Sequence, residues 1–404
     1  MVGFLSGLRV LEVASFGFVP AAGAVLADWG ADVVKVEHPV TGDPMRGMLS
    51  VTAMGVDQPP EVNFLVEQVN RGKRSVGLDV AHPRGRELLG RLIESSDVLL
   101  TNMLPGARRR LGIDVDEVRR RNPRIIYARG HGQGSRGPDA DAGGFDTTSY
   151  WARGGIAEVL RPDADGWPAP HRAGIGDNPS GMMLAGGIAA ALLARERQGV
   201  APTVDVSLLN CAMWTIGFDI IGGQHLDEVL RFPRQEAPNP LANSYRTADG
   251  RIIILGMFQS DRYWQAFCTH VGRPELADDA RFRDSAARYE HRRECIAVLD
   301  DVFAERPLAA WRECLGNAAF PWSVYQVPQE LFDDPQVVAN GYLPTVDSDS
   351  GEAFALVANP VQFDEQTPVL TRAPEHGQHT EEVLLELGLD WDELEAEKAA
   401  GSIL

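Results

Sequence analysis

The N-terminal half of the sequence predicts an α/β fold built on a parallel sheet, and three observations carry that prediction. Short apolar runs of strand character alternate with longer runs of helical period. Glycine and proline punctuate the junctions between them. The chain is also long enough, at 404 residues with 44% apolar side chains, to bury a sizeable core without disulfide or metal staples.

In order, Leu8–Ala14 (LRVLEVA) reads as a buried strand, and Pro20–Trp29 as a helix opened by proline and closed by Gly30. Val33–Glu37 is a second strand and Arg74–Leu78 a third, followed by the helix Pro83–Ser95. Val98–Thr101 and Arg124–Ala128 continue the sheet. A long helix is expected from about Pro179 to Gln198, then a strand at Thr203–Asp205 and a helix from Ser207. Strands separated by helices make βαβ units.

The pattern breaks at Arg231–Leu241 (RFPRQEAPNPL), whose three prolines mark a linker. Asn243–Arg246 and Ile252–Gly256 flank a turn and read as a hairpin, and helical, charge-rich sequence follows from Ser260 to Leu315. The expected organisation is a large Rossmann-like parallel-sheet domain (1–210), a linker helix and loop (211–240) and a smaller α+β domain (241–325). The segment 326–404, with acidic helices at Thr380–Leu387 and Asp390–Ala399, returns to the large domain.

Charge narrows the function. With 38 basic and 57 acidic residues the net charge is −19, which repels nucleic acid and anionic membranes. Cys211, Cys268, Cys295 and Cys314 are far apart and form no CxxC pair, so unpaired thiols in a reducing compartment are expected. The chain begins with no signal-like segment, and its longest nearly apolar stretch, Met182–Ala194, is too short for a bilayer. A cytoplasmic protein is expected.

After the first strand comes Ser15-Phe16-Gly17-Phe18-Val19-Pro20, without the G-x-G-x-x-G that lets a pyrophosphate approach the backbone. No Walker-type run and no G-x-S-x-G elbow occurs either, so NAD, ATP and serine-hydrolase chemistry recede. The one close histidine pair, His376 and His379, lacks a third ligand, and no metal is expected.

Basic residues nevertheless collect locally: Lys73 and Arg74 before a strand, Arg108-Arg109-Arg110 after Asn102-Met103-Leu104-Pro105-Gly106, and Arg129 after a third strand. They form either a solvated basic surface or a site for a polyanionic ligand. Asn102 and Arg129 fall on the carboxyl-end rim, where parallel sheets bind ligands. Gly174-Ile175-Gly176-Asp177-Asn178-Pro179-Ser180-Gly181 precedes the long helix. Its acid is either an N-cap or, with Asn178 capping, a carboxylate in a glycine-flanked loop free to act as nucleophile or base.

These fragments, taken in order, resemble the family III CoA transferases, the group that includes formyl-CoA transferase and carnitine CoA transferase. The resemblance rests on LSGLRVLEVA, LADWGADVVKVEHPVTGDPMRG, NRGKRSVGLDV, SSDVLLTNMLPGARRRLGI, NPRIIYARGHGQG, GGFDTTSYWARGG, GIGDNPSGMMLAGGIAAALLARERQG, VDVSLLN and HTEEVLLELGL. It spans nearly the whole chain and is weakest in the middle.

The resemblance implies that Asp177 is the catalytic nucleophile, forming an aspartyl mixed anhydride and then an enzyme–CoA thioester, with no permanent cofactor. Neighbouring glycines would offer N–H groups to developing negative charge. Lys73 and Arg74 match a basic pair near the CoA adenine and phosphates. Asn102 and Met103 match nucleotide contacts, and Ala107 and Arg110 the turn that follows. Arg129 matches a position near pantetheine or phosphate, with His131 close by. Phe16, Gly17 and Phe18 border the thioester, and His38 stands where some members carry arginine. Gln235–Asn243 occupies the region of the glycine-rich lid known from formyl-CoA transferase. An interlocked homodimer is implied too.

The related α-methylacyl-CoA racemases carry A-G-H-D where this chain has Ala142-Gly143-Gly144-Phe145-Asp146. Phenylalanine cannot serve as the second base, which favours a transferase over a racemase or epimerase. A CoA-binding protein without turnover is the remaining alternative, against which the intact aspartate segment counts. Phe16, Phe18, Phe145, Tyr150 and Trp151 either border an acyl pocket for a bulky or aromatic acid or pack in the core.

Overall fold

The structure is a computed structural model that describes residues 3–49, 60–161, 165–226, 229, 231, 233–348 and 350–404. Within the expected linker, residues 227, 228, 230 and 232 lie outside the described residues. The chain divides into two compact units: 1–158 with 169–226 and 335–404, and 159–168 with 227–334.

The first unit holds β1 (Arg9–Val13), α1 (Phe18–Asp28), β2 (Asp32–Glu37), α2 (Phe64–Asn70), β3 (Arg74–Gly77), α3 (Pro83–Glu94), β4 (Val98–Thr101), α4 (Pro105–Leu111), α5 (Val115–Arg121) and β5 (Ile126–His131). Then follow α6 (Asp177–Gln198), β6 (Thr203–Ser207) and α7 (Leu208–Thr215). The six strands form one parallel sheet in the order β3-β2-β1-β4-β5-β6. β1 is central, with Glu12 opposite Lys35 of β2 and Val13 opposite Thr101 of β4.

The sheet is covered on both faces, as continuous apolar strands require. One face meets α1 and α6: Val10, Val33, Leu100 and Ile126 pack with Val19, Ala22, Leu26, Leu184 and Ile188. The other meets α3 and the C-terminal helix Thr380–Glu386, through Leu11, Val34, Leu99, Leu88, Leu92, Val383 and Leu384. Each such side chain contributes about 1.5–3 kcal/mol of burial. Small residues let α1 and α6 approach: at Gly181 a β-carbon would lie 2.7 Å from Ala21 Cβ and 2.9 Å from Phe18 O.

The second unit has a three-stranded antiparallel sheet, β7 (Ser244–Arg246), β8 (Ile252–Leu255) and β9 (Trp322–Val324). Its core packs Tyr245, Ile253 and Leu255 against Trp264, Phe267, Phe303 and Trp311. All four cysteines are free thiols. Among the described residues no helix is long and apolar enough to cross a membrane.

Two boundaries differ from expectation in ways that matter. β5 ends at His131, so Arg129 lies within the strand rather than after it. Helix α6 begins at Asp177 rather than at Pro179. Proline suits the whole first helical turn, not its first position alone, and here it falls third.

Candidate active site

The sheet order reverses beside β1, whose neighbours are β2 on one side and β4 on the other. In open parallel sheets the crevice at such a reversal, outside the carboxyl ends of the strands, is where ligands bind. A cavity of about 370 Å³ lies there. Its lining comes from the segment after β1 (Ser15 to Phe18), the segment after β4 (Asn102 to Pro105, with Ala107), the end of β5, Ala140 and Ala142 to Phe145, and Asp177.

Asp177 is the single carboxylate among these lining residues. It is the first residue of α6, and the N-cap, Gly176, makes no side-chain cap bond. Neither Asp177 nor Asn178 caps the helix, so the capping alternative does not hold. Gly17, the N-cap of α1, faces it: a β-carbon there would collide with Asp177 Oδ2. Two helix N-termini thus converge on one carboxylate. Their first N–H groups have no intrahelical partners and favour negative charge.

The carboxyl is nevertheless pushed up to about 7, first by burial and then by the neighbouring Asp146. Asp146 is itself buried. Its Oδ1 accepts the Gly176 N–H at 3.0 Å, so that N–H is taken and not free for substrate. Its Oδ2 stands 3.2 Å from His171 Nε2.

The turn at Phe16–Gly17 is held from below. Phe16 has φ of +66°, a conformation costly for a bulky residue. Its N–H donates to Asp43 Oδ1 at 3.1 Å. Asp43 Oδ2 in turn lies 2.8 Å from Lys35 Nζ, which also donates to Glu12 Oε1 and Ala14 O. Asn102 clamps the same turn, accepting the Ser15 N–H and donating to Ser15 O.

The other expected residues fall into groups. Phe16, Gly17, Phe18, Asn102, Met103, Ala107 and His131 line the cavity. His38 lines a smaller one, about 120 Å³, that shares Ser15 and Met103 with it and is completed by Leu78 and Val80 after β3. The sequence reading did not single out Leu78 and Val80. Their place just beyond a parallel strand's carboxyl end is the signal that marks them.

Arg129 is held by Asp205 through two bonds, Nε at 2.5 Å and Nη2 at 3.1 Å, and His131 Nε2 meets the same carboxylate at 2.8 Å. Arg110 lines a separate basic hollow between α3, α4 and α5, with Arg86, Arg109, Arg120 and Arg121. Tyr150 and Trp151 are buried in the core, Tyr150 bonded through its hydroxyl to Thr215. Only Phe16, Phe18 and Phe145 of the aromatic set reach the cavity, with Phe16 and Phe145 edge to face at 5.4 Å.

Lys73 and Arg74 line neither cavity. Lys73 is fully buried, its Nζ donating to Glu12 Oε2, Pro20 O and Asn70 Oδ1. Burial pushes this ammonium down to about 8, Glu12 only partly offsetting it and Lys35 adding repulsion. Arg74 sits at the amino end of β3, away from the rim, and pairs with Asp32 and Glu386. Both charges are satisfied within the protein.

Comparison with known proteins shows the family. The chain belongs to CoA-transferase family III, which it matches over residues 5–380. It is a CoA-transferase, similar over nearly its full length to several named ones. It is 33% identical over 391 residues to the (R)-2-hydroxy-4-methylpentanoate CoA-transferase of Clostridioides difficile, covering 96% of this chain and 97% of that one. The cinnamoyl-CoA:phenyllactate CoA-transferase of Clostridium sporogenes is 32% identical over 394 residues, 96% and 95% of the two chains. A crystal structure of a CAIB/BAIF family protein from Brucella suis superposes with a TM-score of 0.81 at 27% identity, covering 96% of this chain and all of that one.

Proposed function

We infer that the protein moves CoA from an acyl-CoA to a free carboxylic acid, with Asp177 as nucleophile. The observation that carries this reading is the lone carboxylate in a cavity at the sheet's reversal point, flanked by two helix N-termini. An Asp177 oxygen attacks the thioester carbonyl, the C–S bond breaks, and an acyl–aspartyl anhydride and CoA thiolate form. The thiolate attacks the aspartyl carbonyl, expelling the donor's carboxylate and leaving an aspartyl–CoA thioester. The acceptor carboxylate then attacks that thioester, regenerating thiolate and a new anhydride. Attack of the thiolate on the acceptor's acyl carbon yields the new acyl-CoA and frees Asp177.

No step in this sequence requires a proton at the reacting atoms. What the fold must supply is alignment and stabilisation of developing oxyanions, a task the N-terminus of α1 suits, since at α6 the Gly176 and Asn178 N–H groups already serve Asp146 and Gly174 and Pro179 has none. Phe16, Phe18, Met103, Phe145 and Leu208 give the cavity an apolar wall. The substrates on this reading are monocarboxylic acids with a bulky branched or aryl group. A second carboxylate would meet no uncommitted cation among the described lining residues, because His131 Nε2 already serves Asp205.

A racemase reading finds less support, since Phe145, which stands at the place of the second base, cannot move a proton. The test is incubation with a panel of aryl and branched acyl-CoAs, borohydride quench and peptide mass analysis. Reduction confined to the Asp177 peptide, and abolished in Asp177→Ala, is the expected result. Unchanged transfer by that variant, or α-proton exchange with solvent deuterium in the absence of an acceptor acid, overturns it.

A further inference from the structure

Behind Asp177 lies a polar pair that the chemistry above does not use. Asp146 opens the helical segment Asp146–Arg153, and His171 lies just before the turn leading to α6. Asp146 Oδ2 and His171 Nε2 are 3.2 Å apart, at ion-pair distance, and both atoms are shut off from solvent without a formed hydrogen bond. A ring nitrogen that carries a hydrogen is a donor, and a carboxylate oxygen only accepts, so the two atoms are complementary at this distance. The other ring nitrogen, Nδ1, is 3.1 Å from Thr147 Oγ1, a hydroxyl able to accept or donate. The ring also lies edge-on to Trp151, with centroids 6.0 Å apart.

Facing this pair from α6 is Asp177; from the segment Asp146–Arg153, Tyr150 and Trp151 pack around the pair without charge. The packed helix α7 brings Cys211, whose thiol burial keeps protonated, and the neutral Thr215. Asp146 is the charge that raises the Asp177 carboxyl from behind, and His171 is the group at ion-pair distance from it.

We propose that His171 is a positioning residue for Asp177: it holds Asp146 so that the other carboxylate oxygen keeps the Gly176 N–H, and it offsets the Asp146 charge behind the nucleophile. The proposal rests on the reading of Asp177 as nucleophile. One end of the relay fixes the backbone turn that aims Asp177, and the other sets the field in which that carboxylate ionises. The effect of Asp146 in holding the Asp177 proton agrees with this arrangement.

The experiment is single-turnover acylation of Asp177 by the panel of aryl and branched acyl-CoAs, read by borohydride trapping between pH 5 and 9 on the full chain. His171→Leu is expected to slow acylation roughly tenfold to a hundredfold while the acyl-CoA KM stays within about twofold. Its acid limb should move to higher pH. His171→Gln, which keeps a donor toward Asp146, should recover most of the rate but not the position of the limb. Asp146→Asn, which keeps an oxygen for Gly176 and removes the charge, should move the limb to lower pH. Wild-type rate and limb in His171→Leu, equal losses in the Leu and Gln variants, or an unmoved limb in Asp146→Asn each overturn the proposal. An unlabelled wild type overturns instead the nucleophile reading on which it stands.

Discussion

Gly17 and Asp177 are in such close register that the position a Gly17 β-carbon would take is already filled by Asp177 Oδ2. The Gly17 backbone has φ of −95°, which any residue tolerates. The glycine is there for space, not for conformation. Gly17→Ala must therefore turn the carboxylate aside. The expected outcome is a loss of about a hundredfold in kcat with little change in the thermal midpoint, measured by transfer kinetics and calorimetry.

Burial and the Asp146 charge push the Asp177 carboxyl up, which gives a prediction of definite sign. As its carboxyl is pushed up to about 7, the nucleophile is ionised above that pH and protonated below it. Transfer should rise with pH through 7. For stability the direction is opposite: between about pH 4 and 7 the folded chain holds a proton that the unfolded chain has lost, so stability falls as pH rises. Asp177→Asn should remove this penalty, stabilising the protein by on the order of 2 kcal/mol at pH 8 and not at pH 4, read from urea midpoints.

Glu12 carries two buried ammonium groups, Lys35 at 3.0 Å and Lys73 at 2.7 Å, and all three side chains are fully shielded from water. Removing that carboxylate leaves the lysines without their shared counter-charge. Glu12→Gln should cost about 3–5 kcal/mol in equilibrium unfolding. The double variant Glu12→Gln with Lys73→Met, which also removes one of the two ammonium groups and leaves Lys35 paired with Asp43, should recover part of that loss.

Arg74 makes the contrasting case. Its partners Asp32 and Glu386 lie at the amino end of the sheet, and the network is partly exposed. Arg74→Met should leave the KM for acyl-CoA within about twofold and cost no more than about 1 kcal/mol. A large rise in KM would mean that Arg74 reaches the nucleotide.

What the sequence made legible follows from periodicity. The strands from Arg9 to Thr101 and the helices between them stand out because their apolar runs switch period at glycine or proline. The segment holding Asp177 stands out because its glycines bracket an acid at the start of a long helix. Lys73 was not readable: a basic run looks solvated, and its counter-ion Glu12 lies far away along the chain. Tyr150 and Trp151 were ambiguous for a related reason, since aromatic residues fill cores and pockets alike. His171 gave no pattern at all; only the fold brings it to Asp146.

The cavity draws its walls from the segments after β1, β4 and β5 and from the start of α6. No hairpin or single βαβ unit contains the site, so its contacts join segments far apart along the chain. Such pairings come late, because loop closure must be paid before they reward the chain. Nascent chains should thus acquire affinity for acyl-CoA only after β5 and α6 have docked. A bound ligand would correspondingly act on the whole unit, raising the barrier to global opening rather than quieting one loop.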